Sequence, residues 1–224
     1  MIHRSTLDFL KRLARHNNRD WFNAHRNEYE AALSDAQQFF DEVIDGLNRH
    51  DRIETPSAKQ ALYRIYRDVR FSADDTPYNP RFAGHFSRTK PMLRGGYYLW
   101  IQPGASRAGC GFVYPNAEDL KTIRLDILAN HGKWRRMLGS KGIKAVFGEM
   151  RGEVVPTAPR GFPRDHPAID LLRHKQFWFE HSFTDGQVLA PDFLDSLNRT
   201  YRSIRPFFDY MSGLLAPGRA PAQK

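Results

Sequence analysis

The chain has 224 residues and a formal net charge of +9, long enough to bury about 70% of its unfolded surface without covalent staples. Its 41% hydrophobic and 13% aromatic content belongs to a globular protein, and the single cysteine, Cys110, excludes an internal disulfide framework and a multi-cysteine zinc site. No apolar run approaches the ~20 residues that span a bilayer, and the first residues lack the apolar core of a secretory leader. A soluble, cytoplasmic protein with no membrane partner is expected, and the positive excess favours anionic partners.

In chain order, Ser5 with Asp8 three residues on has the capping-box pattern, and Leu7, Leu10, Leu13 and Ala14 give the following helix an apolar stripe. Asn17 and Asn18 end it. A second helix is predicted from about Asp20 to between Asn48 and Asp51, with Phe22, Tyr29, Leu33, Ala36, Phe40, Val43, Ile44 and Leu47 at three- and four-residue steps. From Gln60 the period changes to two, and residues 60–67 are expected to form a strand. A loop follows, because Pro77 and Pro80 forbid regular pairing. Residues 82–86 read as a short strand. Residues 97–102 and 108–114 read as the arms of a hairpin that bends at residues 103–106.

Asn116, with Asp119 after it, caps a helix predicted to run to about Asn130. Residues 131–150 mix helical spacing with glycines, and residues 152–165 are loop. Pro167 opens a short helix, and residues 176–183 alternate aromatics as a strand does. Pro191 starts a long C-terminal helix running to about Leu215, which Pro206 kinks or divides. The fold class is therefore α+β: a single domain over residues 1–215 with an N-terminal helix pair, a central, mainly antiparallel sheet and further helices after it. Residues 216–224 are expected to form a disordered tail.

The chemistry concentrates in residues 63–86, YRIYRDVRFSADDTPYNPRFAGHF, which with the nearby Arg88 carry five arginines among aromatic and hydroxyl side chains. Guanidinium forks grip phosphate or carboxylate in bidentate fashion, and hydroxyls add donors. Prolines stiffen the loop, so that ordering it for a ligand costs little entropy. The candidate ligand-binding residues are Arg64, Tyr66, Arg67, Arg70, Ser72, Thr76, Tyr78 and Arg81, with Lys175 as a further cation. The competing reading is an internal network in which Asp68, Asp74 and Asp75 hold the same arginines.

RIYRDVRFSADDTPYNPRFAGHF, then GGYYLWIQPG and HPAIDLLRHKQF, together with the opening FLKRLARHNNRDWFNAHRNEYEAA, resemble the DUF2461 family of conserved hypothetical proteins over nearly the whole chain, up to about residue 215. The resemblance implies a single domain and supplies no established activity or cofactor. The family loop SxDKTPYK has lysines where this chain carries Asp75 and Asn79. Lysine chemistry at those places is therefore absent here, while the arginines remain.

His85 beside the central stretch, or Asp68 within it, is the candidate for proton transfer if the protein is an enzyme acting on a phosphorylated or acidic substrate. His166 and His174 come from the third motif. Nine histidines include no HxH or HExxH spacing, so no metal site is expected. Tyr97, Tyr98 and Trp100 follow one another along a predicted strand, a pattern shared by base-stacking platforms and by two-sided sheets. The leading expectation is an arginine- and tyrosine-lined site for an anionic ligand, either a phosphorylated small molecule or nucleic acid. The alternatives are the enzyme and a structural or protein-interaction domain whose arginines are internal.

Overall fold

The computed structural model describes residues 1–68, 70 and 74–216. The sequence expectations for Ser72 and for most of the C-terminal tail fall outside these residues. The described chain is α+β, with ten helices and one four-stranded antiparallel sheet in the order β1 (Phe82–Ser87), β2 (Gly96–Ile101), β3 (Ser106–Phe112) and β4 (Phe177–Phe183). Among the described residues no helix is long and apolar enough to cross a membrane. Two compact units divide the chain. The first comprises residues 1–86, 98–108 and 182–199, and the second comprises residues 87–97, 109–181 and 200–224.

The first unit opens with α1 (Arg4–Arg15), which buries Leu7, Phe9, Leu10 and Leu13 and packs on α3 (Arg26–Asn48). Ser5 does not cap α1. No side chain caps it, and Asp35 of α3 instead accepts from the His3 backbone N–H at 3.0 Å and the Thr6 hydroxyl at 2.5 Å, which ties the start of α1 to α3.

The long second helix is broken as well. Asn18 caps α2 (Arg19–Ala24) by accepting from the Trp21 N–H at 2.9 Å. His25 then leaves the helical region, at φ −112° and ψ 27°. Its Nδ1 lies 2.7 Å from the Trp21 carbonyl, and its ring stacks on Trp21 at 4.0 Å. The His25 N–H still donates to the Trp21 carbonyl at 3.1 Å, so the break between α2 and α3 is a local departure in backbone angles at His25.

Residues 60–67 form no strand. The chain instead makes α4 (Ala58–Ala61), whose first N–H donates to Asp41 of α3 at 2.6 Å, and then runs extended. Two isolated antiparallel bridges hold the extended part, Leu62 with Gly84 and Tyr66 with Tyr78. Pro77 and Pro80 have no N–H to donate, so the pairing stops after Arg67 N–H to Pro77 O at 2.9 Å and Asn79 N–H to Ile65 O at 2.7 Å. From Leu62 to Arg67 Ile65 alone is buried, while Tyr63, Arg64 and Tyr66 are exposed, so the expected two-residue alternation is not kept. The first unit closes with α8 (Asp185–Val188), capped by Thr184 with Gln187, and with α9 (Phe193–Ser203) as far as Arg199. Phe193 stacks on Phe39 at 5.3 Å.

In the second unit Asn116 caps α5 (Ala117–Leu138) through the Asp119 N–H at 2.8 Å. Asn130 interrupts the helical geometry without ending the helix, which continues to Leu138. Next come α6 (Lys141–Phe147) and α7 (Ile169–Leu172). α10 (Arg205–Leu214) starts with Pro206 in its first turn, where a proline costs no hydrogen bond, and this accounts for the division of the C-terminal helix. Buried Phe177, Phe179, Trp134 and Phe207 fill this core.

Candidate functional site

In the first unit the loop carrying the arginines is fastened from below. Tyr78 is only 3% exposed and stacks on Phe22 at 4.0 Å, with an interplanar angle of 14°. Asn17 grips its backbone on both sides, accepting from the Tyr78 N–H at 3.1 Å and donating to its carbonyl at 2.9 Å. Tyr78 therefore anchors the loop from the core, whereas Tyr66 packs against it at 5.3 Å with its own ring 52% exposed.

Above this anchor the arginines separate into distinct environments. Arg67 donates to the Thr76 hydroxyl at 2.6 Å and pairs with Asp74. That pairing, with the Thr76 N–H and hydroxyl, holds the Asp74 carboxyl down at about 2. Arg70 pairs with Asp68 at 2.6 Å in an exposed position and lowers the carboxyl's pKa. Arg64 is exposed and makes no side-chain hydrogen bond or ion pair with the described residues.

Arg81 stands apart from the others. It lies one residue before β1 and is partly buried, and its side chain has no hydrogen bond or ion pair with the described residues. Burial pushes its pKa down, and the positive charges of Arg107 and Arg67 push it further in the same direction. The charges of Arg107 and Arg67 are thus felt at Arg81, and no carboxylate among the described residues pairs with it. Like charges gathered in a partly dry place are what a bound anion would relieve.

Beside these guanidinium groups lies a row of rings. The burial pattern of β2 turns Leu99 and Ile101 to the core and leaves Tyr98 and Trp100 on the other face, which His85 of β1 and Arg107 of β3 share. His85 lies 4.3 Å from Tyr98, centroid to centroid. Tyr98 and Trp100 are nearly parallel, 5.9 Å apart at 13°. The Arg107 guanidinium lies 4.8 Å over the Trp100 ring.

The sequence singled out Tyr97, Tyr98 and Trp100 together without separating fully buried Tyr97 from the other two, and it gave no signal for Arg107. Arg107 sits at the junction of the expected bend and second arm, where no face could be assigned to it. Its closeness to Arg81 depends on strand pairing, which no local pattern encodes.

The remaining candidates belong to the second unit. Lys175 pairs with Glu153. His174 Nδ1 lies 3.1 Å from the Gln176 carbonyl, and burial lowers its pKa. His166 accepts from the Ala168 N–H at 3.1 Å. Cys110 is fully buried, and burial pushes its thiol pKa well up, which makes it a packing residue and not a nucleophile. Arg88 is fully buried, donating to the Arg94 carbonyl at 2.7 Å and the Ser212 hydroxyl at 3.0 Å, with Phe208 beneath its guanidinium at 4.8 Å. Among the described residues no cluster of histidine, cysteine and carboxylate side chains could hold a metal ion.

These features define an α+β protein whose first unit carries a basic, aromatic sheet face beside a proline-bounded loop. Residues 5–210 match the family described as "Conserved hypothetical protein (DUF2461)", and the chain belongs to that family. No curated protein and no solved structure matched it.

Proposed function

We propose that the protein binds an anionic, phosphate-bearing ligand through Arg81, assisted by Arg67 and Arg107. The observation that carries this reading is the Arg81 guanidinium, partly buried, without a carboxylate partner among the described residues and within reach of the positive charges of Arg107 and Arg67. Arg67 is held in place by Thr76 and Asp74 and needs little reorganisation to contribute. Arg64 and Arg70 lie at the exposed edge of the same loop, where they serve encounter more than grip.

Titration calorimetry with sodium tripolyphosphate at low salt tests the reading. Wild-type protein gives saturable binding that weakens as salt rises. Arg81→Ala weakens it by about 10- to 150-fold, since hydrogen bonds to charged groups contribute about 1.5–3 kcal/mol, and leaves the melting temperature near that of the wild type. Undiminished affinity in a folded Arg81→Ala variant, or no wild-type binding at all, would overturn the proposal.

A further inference from the structure

A phosphate group by itself has no use for the rings beside the arginines. His85, Tyr98 and Trp100 form a contiguous row on the side of the sheet that Leu99 and Ile101 do not face, and the last ring lies under the Arg107 guanidinium. Leu99 and Ile101 are fully buried on the core side, whereas the positions on this side are part-exposed. Here they hold flat rings that combine an apolar face with a polar edge; the Arg107 guanidinium lies over the last of them, and Arg81, one residue before β1, feels its charge. The ligand that matches both halves carries flat π-systems at intervals along a chain of phosphates. Duplexes keep their bases stacked on one another and offer no face to a protein ring, whereas single strands offer one per nucleotide. The wider charge distribution agrees, with seven basic residues against three acids in residues 61–100 and a net charge of +9.

We infer that this face of the first unit binds single-stranded nucleic acid, its bases stacked on Trp100, Tyr98 and His85 and its phosphates held by Arg81, Arg107 and Arg67. The inference rests on the anion-binding reading above and adds the base to it. Stacking on unspecialised rings tolerates any base, so the face reads strandedness and not sequence.

Fluorescence anisotropy of the full chain with three labelled probes provides the test: a twelve-nucleotide oligothymidylate, an abasic oligomer of the same length and a duplex of the same length. The oligothymidylate binds most tightly, and its affinity falls with salt. Trp100→Leu and Tyr98→Leu each weaken it by about 5- to 150-fold, the span expected for losing one stacked base, and leave the abasic probe unchanged. Arg107→Ala reduces the slope of log affinity against log salt by about 0.7. Two ring variants are used so that one misfolded protein does not decide the matter. Equal affinity for the abasic or duplex probe, or unchanged oligothymidylate binding in both folded ring variants, overturns the inference and leaves phosphate binding standing. Absence of binding to all three probes and to tripolyphosphate removes both.

Discussion

Tyr78 was expected on sequence grounds to offer its hydroxyl to a ligand, yet its ring lies in the core beneath the loop, and the two roles predict different mutants. Burying an aromatic side chain removes roughly 200 Å² from water, which at ~25 cal/mol per Å² is about 5 kcal/mol. The methyl that alanine keeps reduces this, and the stacked contact with Phe22 at 4.0 Å adds about 1 kcal/mol. Tyr78→Ala is therefore expected to cost about 3–5 kcal/mol, within the measured range for truncated core aromatics. That is a large share of the ~5–15 kcal/mol that holds a typical domain folded. Tyr78→Phe keeps the ring, and the hydroxyl has no hydrogen bond among the described residues, so it should cost under about 1 kcal/mol. Urea denaturation followed by tryptophan fluorescence supplies the stabilities, and tripolyphosphate titration of Tyr78→Phe supplies the other half. If the phenylalanine variant stays stable but loses tripolyphosphate, the hydroxyl is a ligand and the anchoring argument fails. If Tyr78→Ala costs less than about 1 kcal/mol, the loop is held elsewhere.

Two further outcomes test the same frame. The Asp74 carboxyl sits at about 2 in the fold against an ordinary 3.8, held down first by Arg67 and then by Thr76. A depressed carboxyl stabilises the fold above its unfolded pKa, and that contribution disappears as pH falls from about 4 toward 2. The melting temperature of Asp74→Asn should accordingly lie below that of the wild type at pH 5 and converge with it near pH 2, and a constant gap would show that the pairing is not the cause. A Cβ at Gly84 would stand 2.6 Å from the Ala61 carbonyl and 2.7 Å from Phe40. Gly84→Ala should then cost about 1–3 kcal/mol by overpacking in urea denaturation, and an unchanged midpoint would mean that α4 yields freely.

What the sequence made legible was whatever its own neighbours decide. Asn116 caps α5 with a donor three residues away, Pro206 begins α10, and β1 to β3 follow from alternation and a Pro-Gly bend. Two of the failures share a feature, since in each a group distant in sequence holds the start of a helix. Asp35 of α3 takes the His3 N–H just before α1, where Ser5 makes no cap, and Asp41 accepts from the first N–H of α4 where a strand was expected to begin. The alternation read from Leu62 to Arg67 does not carry into burial, since Tyr63 is exposed beside buried Ile65, and Pro77 and Pro80 withhold donors from any ladder. The arginines show the same limit at the level of chemistry. Five of them close in sequence read as one cluster. In the fold Arg67 and Arg70 are matched to carboxylates and Arg88 is sealed in the second core. Arg81 is left with like charges for neighbours. Its significance comes from Arg107, a residue twenty-six positions away (107 minus 81) that strand pairing and no local pattern brings near. A composition argument counts guanidinium groups, but only their pairing decides which of them has charge left to offer a ligand.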